Sequence, residues 1–346
     1  MENVIGKTKV TDEKLFKEAK KLIGKEGAKG WNLAKETLLE QETRNSQLKE
    51  ALNYIAELPE FFRPAIVSLC CKAVGGKSEN TIPCGASFIM LGKAIGIHDD
   101  IIDNLRIRNK RLTFFGKFGK EIALIISDIL VFKAFTLMRK NTEFGISQQT
   151  NAKILQTIDK FWFEQGESEI LELQSRKKLE IMPQESLAKI KMRASELEAI
   201  TRIGGILGNG SKKEIEALGV YGRLLGTASI LRDELIDMLE PDVLSHRIQY
   251  ESLPLPLNYA MQKLESKAAL TSAILKKRLT KADLYKISKV VDEAQGIKYV
   301  ADLISKTANE ARSQLEMFKD KKDELQLLTA SLVIKPNDWK TALSSM

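Results

Sequence analysis

The 346-residue chain is 43% hydrophobic and 29% charged, a balance that fits a globular fold and excludes a disordered chain. Three cysteines (Cys70, Cys71, Cys84) and two histidines (His98, His246) exclude a disulfide scaffold, a zinc ribbon and a multi-histidine metal site. The net charge of +8 permits attraction to phosphate on nucleic acid, lipid or a small substrate, and charge alone does not choose among them.

The N-terminal stretch has no apolar core of a signal peptide, and no run reaches 18 apolar residues. Adjacent Cys70 and Cys71 in an apolar stretch predict reduced thiols of a cytoplasmic protein. Residues 13–58 carry Leu, Ile and Ala at three- and four-residue spacings, which predicts amphipathic helices. Residues 64–74 are more apolar and stop at Gly75-Gly76. Ser78, Asn80 and Thr81 then precede Pro83, a helix-start signal. The helix expected from about 83 to 103 has almost no charge before Asp99, so it should sit centrally. Residues 120–139 and 153–173 predict two more, the latter with Phe161-Trp162-Phe163 in its middle. A further helix starts at Pro183 and runs to about Gly204. Residues 212–240 make one or two helices, stopped by Pro241. Residues 264–328 are again amphipathic and lysine-rich. There is no strand-like alternation, no solenoid repeat and no low-complexity linker. The expectation is one all-α domain over residues 1–346, of about ten helices.

The informative residues lie where apolar helices carry acid. In the string GIHDDIID, Asp99 and Asp103 are four apart and share a helix face, with Asp100 between them. Far downstream, in GTASILRDELIDML, Asp233 and Asp237 repeat that spacing around Glu234. Carboxylates at the C-terminal end of a helix oppose its dipole, and burying several like charges is costlier still without a cation. Hard oxygen donors without Cys or clustered His point to Mg²⁺, with Asp99, Asp100, Asp103, Asp233, Glu234 and Asp237 as candidate ligands.

At these residues the chain resembles the trans-prenyl diphosphate synthases (polyprenyl synthetases) of the class I isoprenoid or terpene synthase superfamily. The resemblance is strongest over 63–257. Arg63-Pro64 resembles the end of GGKxxRP, and HDDIID matches the first aspartate-rich motif. Arg108 and Thr113 fall on the RRGxPT stretch, Phe118-Gly119 on its FG, and Ser127-Asp128 on the GD that follows. Arg193-Ala-Ser-Glu-Leu is similar to the Lys-Thr segment, with Arg for Lys. Tyr221-Gly222, Leu225-Gly226 and Ala228 lead into the second cluster as in YG…LGxAFQxxDDxxD. This implies a helical bundle around a deep apolar cavity, with the two clusters facing each other across Mg²⁺ and a substrate diphosphate. It also implies catalytic roles for Asp99, Asp103, Asp233 and Arg108, and substrate contacts from Arg63, Arg108 and Arg193. The wall of the chain pocket would be Ala94, Leu91 and Phe88. A small residue at Ala94 leaves that level open, and Phe88 lies about 16 Å down the helix from Asp99, so a chain beyond C15 is expected.

The departures fall on one half of the site. The Lys of GGKxxRP is Glu60, the His after the RRG stretch is Phe115, and the second Arg of that pair is Asn109. In the family that Lys, that His and the retained Arg clamp the diphosphate of isopentenyl diphosphate; two of the three are missing here, so that acceptor is expected to be poor. Gln165 and Glu169 fall near the family's GQxxD, but Gly166 disturbs the register and no role is carried over. The reading is a Mg²⁺-dependent prenyltransferase that ionises an allylic prenyl diphosphate. The alternatives are a terpene synthase acting on one substrate and a non-catalytic subunit of a heteromeric synthase. The resemblance implies a homodimer. A peripheral membrane contact through the C-terminal lysines suits a greasy product, and nucleic-acid binding has no motif behind it.

Overall fold

The computed structural model describes residues 13–333, apart from 109, 110, 177 and 277, together with Trp339. Among these, sixteen α-helices are joined by short turns. The amphipathic N-terminal stretch becomes α1 (Glu13–Leu39) and α2 (Ser46–Ala56), the second capped by Asn45, whose side chain accepts the Leu48 N–H. Helix α3 (Phe62–Ala73) follows. A 3₁₀ turn at Ser78–Thr81 then feeds α4 (Ile82–Ile102), with Pro83 in its first turn as its sequence requires.

Helix α4 is apolar on every side and lies centrally: Phe88, Met90, Leu91 and Ala94 have no exposed surface. After it the chain forms a feature absent from the sequence expectation. A two-residue antiparallel ladder pairs β1 (Ile107–Arg108) with β2 (Arg111–Leu112). It is too short for alternation to register in the sequence. Then come α5 (Phe114–Phe118), capped by Thr113, α6 (Lys120–Arg139) and α7 (Gln148–Ser175).

The helix predicted from Pro183 to Gly204 is two, α8 (Pro183–Arg193) and α9 (Ser195–Leu207), broken at Ala194. Residues 212–237 form a single helix, α10 (Lys212–Asp237), started by a reciprocal capping box between Ser211 and Glu214. The C-terminal part is α11 (Pro241–Tyr250), α12 (Leu255–Met261), α13 (Leu264–Ile274), α14 (Lys281–Glu293), α15 (Gly296–Gln314) and α16 (Asp323–Ala330).

Two apolar cores result. The larger is built around α3, α4, α6 and α9, and the smaller around α12 to α15. Helix α10 serves both, through Leu218, Tyr221, Leu225 and Ala228 in the first and Leu231 and Leu235 in the second. Its C-terminal turn, which carries the second acid cluster, is therefore held from both sides.

Candidate active site

The first acid cluster closes α4. Asp103 ends the helix, its N–H donating to the Asp99 carbonyl at 2.8 Å. Asp100 accepts from Arg108 Nη2 at 2.8 Å, so the short hairpin delivers a guanidinium to the cluster. Asp103 accepts from Arg176 at the end of α7, and Arg176 also donates to the Ile102 carbonyl at 3.0 Å. Asp99 is hydrogen-bonded to no described side chain. Burial, then repulsion from Glu169 and Asp103, pushes its carboxyl up to about 8. Burial also raises Asp100 to about 6, against the pull of Arg108.

The second cluster closes α10 and is partly neutralised from within. Arg247, buried on α11, donates from Nη1 to Asp237 Oδ2 (2.6 Å) and from Nη2 to Glu234 Oε1 (2.9 Å). Its Nε lies 2.9 Å from Glu251 Oε2. The other Glu234 oxygen accepts the Leu255 N–H at 2.7 Å. Both Glu234 oxygens are thus occupied, whereas Asp233 Oδ1 is buried without a partner. Burial holds Asp233 above the usual carboxylate range and lifts Asp237 to about 7 even beside Arg247. Glu172 on α7 behaves oppositely: against burial, Lys189 and Arg247 hold it down to about 2.

The clusters converge through arginine. The Arg193 guanidinium, at the end of α8, acts on both Asp99 and Asp233, and Arg247 acts on both Asp103 and Asp237. The acids, Arg108, Arg176, Arg193 and Arg247 thus share one region where α4, α7, α8, α10 and α11 end or pass. Sequence reasoning missed Arg176, Arg247 and Glu251, and set Glu169 aside. Helix α7 runs unbroken through Gly166, and Glu169 lies near Arg193 (3.9 Å). For Arg247 a signal existed: three acids, Glu234, Asp237 and Glu251, lie within thirteen residues of it on helices flanking one turn.

The three residues expected to wall the chain pocket all lie on the inner side of α4. Ala94, Leu91 and Phe88 are packed into the core with no exposed surface, Phe88 against Phe161 at 6.4 Å between ring centroids. Ala94 precedes Asp99 by five residues, about 140° around the helix at roughly 100° per residue. The partly exposed side carries Ile95, Gly96 and Asp99, and nothing lies within 4 Å of where a Gly96 Cβ would sit. Of the three aromatics on α7, Phe161 is buried, Trp162 is half-buried and Phe163 is exposed, as helical geometry requires of consecutive residues.

Arg63 is held by acids. Its Nε and Nη2 form a two-point bond with Glu196 at 2.7 and 3.0 Å, and Glu60 lies 3.5 Å from Nη1. Phe115 is buried, its ring 4.5 Å from the Arg106 guanidinium carbon. Lys72 on α3 is paired with Glu26 on α1 at 2.6 Å. Asn109 lies outside the described residues.

No three acid, Cys or His side chains among the described residues form a cage for an ion by themselves. The donor set nevertheless fits a divalent cation. Among the described residues no cation is hydrogen-bonded to the buried carboxylates of Asp99 and Asp233, and Mg²⁺ binds through one or two carboxylates when phosphate oxygens supply the rest. Without metal, these charges are a burden on the fold. A raised native pKa means the folded state holds a proton the unfolded state releases, so stability falls as pH rises from about 4 to 8. In chelator, Asp99→Asn should therefore melt at or above the parent, with the gap widening across that range. A lower melting temperature would give Asp99 a structural partner.

Similarity to known proteins gives the family and the fold. The polyprenyl synthetase profile matches residues 45–293. The chain is 24% identical over 290 residues to a geranylgeranyl diphosphate synthase of Methanosarcina mazei, covering 83% of this chain and 88% of that enzyme. Its fold is similar to that of a geranylgeranyl pyrophosphate synthetase from Pyrococcus horikoshii, with a TM-score of 0.82 at 22% identity, over 92% and 99% of the two chains. It is also similar to a Caulobacter crescentus polyprenyl synthase solved with calcium and isoprenyl diphosphate, at TM-score 0.76, 20% identity and 92% and 98% coverage. Two acid clusters at the ends of buried helices, joined by arginines, on a fold matched along nearly its whole length, make the chain a member of the polyprenyl synthetase family.

Proposed function

We propose that this chain is a Mg²⁺-dependent prenyltransferase that ionises an allylic prenyl diphosphate, acting as one unit in the cytoplasm. The observation that carries the reading is the convergence of under-neutralised Asp99 and Asp233 on one guanidinium, that of Arg193. Bound there, Mg²⁺ supplies Lewis-acid stabilisation of the departing diphosphate, with Asp99, Asp103 and Asp233 as the residues that would hold it. Arg193, Arg108 and Arg176 flank that position and clamp the developing negative charge, while Arg247 stays committed to Glu234, Asp237 and Glu251. The apolar flank of α4 keeps water from the allylic cation. Arg108 and Arg176 are already pre-set by Asp100 and Asp103, so they reach the diphosphate without ordering cost.

The test is incubation of the protein and Mg²⁺ with C10, C15, C20 and C25 allylic diphosphates, with the products identified by mass. Release of diphosphate from none of them would overturn the reading. We read the preferred chain as longer than C15, on Gly96, where the side of α4 that carries Asp99 stands open. Gly96, which faces open space, is the position to probe. Gly96→Phe should shorten the longest chain accepted by at least one isoprene unit. An unchanged range would show that α4 does not set length.

A homodimer is the assembly we propose. Helix α6 exposes Ile125, Phe132 and Phe135, and α7 exposes Phe163, Ile170 and Leu173, with Phe132 and Phe163 71% and 76% exposed. Apolar stripes of this kind are covered in a stable assembly. Light scattering should give twice the chain mass, and Phe132→Glu with Phe163→Glu should give the monomer. A wild-type monomer that floats with anionic vesicles would instead make these stripes a membrane contact. Among the described residues no helix is long and apolar enough to cross a membrane.

A further inference from the structure

Helix α10 buries a cation that no described side chain pairs. Arg232 is 3% exposed, and its Nε is enclosed without a hydrogen-bond partner. The acid whose charge acts on it is its chain neighbour Asp233. That acid stands on another side of the helix, because successive residues are about 100° apart. Arg232 shares its side with Leu225, seven residues back, and faces α1, α3 and α16.

A cavity of about 20 Å³ lies against it there, with room for about one water molecule or an ion of that size. Ile23, Phe62, Leu225 and Leu328 give it apolar walls. Lys20 and Ser331 add a second cation and a hydroxyl, and no acid lines it. A water in this space would accept the Nε–H but leave the positive charge uncompensated among apolar groups, which is the costly part of burying it. A singly charged anion removes both defects. Sulfate and phosphate, with four oxygens each, exceed the space.

We propose that this cavity is an anion site, in which Arg232 holds one halide-sized, singly charged ion through its charge and its Nε–H. The site stands apart from the two acid clusters and is independent of the prenyltransferase reading. The ion would tie α1 and α16 to α10 across the larger core, so that the kind of anion present, and not ionic strength alone, sets stability.

Thermal melts at equal ionic strength in sodium chloride, bromide and gluconate test this, gluconate being too large to enter. The wild-type midpoint should rise in chloride and bromide over gluconate, by the same increment for each tenfold rise in concentration beyond the dissociation constant. Arg232→Met removes the charge and keeps an apolar stem. It should lose that concentration-dependent rise, and in gluconate it should melt at or above the wild type. Crystals of the wild type soaked in bromide should show an anomalous peak within hydrogen-bonding reach of Arg232 Nε. That soak reads the site even where the variant does not fold. An ordered water with no anomalous signal at this position would overturn the proposal. So would a halide response in Arg232→Met equal to that of the wild type, which would make the effect one of bulk salt.

Discussion

Asp99→Ala and Asp233→Ala should each lower turnover of an allylic diphosphate by about a thousandfold or more, with the circular dichroism of the parent. These two carboxylates carry no hydrogen bond from a described side chain, so neither change removes a structural contact. What each removes is a hard oxygen donor beside the diphosphate position, and Lewis-acid stabilisation of a leaving group is worth several kcal/mol, at about 1.4 kcal/mol per tenfold in rate. Glu234→Gln should behave differently. Glu234 already accepts from Arg247 and from the Leu255 amide, so its loss should appear first in stability. Turnover within threefold of the parent in either Asp variant would remove that residue from the site.

Arg247→Met should cost about 3–5 kcal/mol of stability, read as a lower midpoint in urea with an unchanged slope. Methionine fills much of the volume of the arginine stem but leaves Glu234, Asp237 and Glu251 facing one another. Their side chains are 8%, 23% and 19% exposed, so water replaces little of the lost charge. The penalty should shrink as pH falls toward 5, because the orphaned acids can then take up protons and become neutral. Arg247→Lys should recover part of the loss, since its ammonium restores the charge but places its donors on one nitrogen, where the guanidinium spreads them over three. A loss below about 1 kcal/mol in Arg247→Met would mean the network relaxes into solvent.

Much of this was legible from residue order alone. Spacing found both acid clusters because period 3.6 is a local property: Asp99 and Asp103 share a face whatever surrounds them. The bounds of α6 and the proline start of α8 also follow from local chemistry, whereas Pro241, read as a stop, also starts α11. The break at Ala194 did not show, because no proline or glycine marks it.

Sequence by itself determined the fold class, the acid clusters and the presence of Glu60 and Phe115 where the family has Lys and His, since each is a matter of which residue stands at which step. Only the tertiary structure decided which charges meet. Glu196 lies 133 positions from Arg63, and nothing local to either says that it takes both guanidinium nitrogens. Arg247 neutralises Glu234 and Asp237 because α11 folds back on α10, and Lys72 is spent on Glu26 because α1 packs on α3. The same holds for Ala94. Its small size is written in the sequence, but the side of α4 left open was fixed by what α4 packs against, because burial is a property of neighbours that the chain brings from elsewhere.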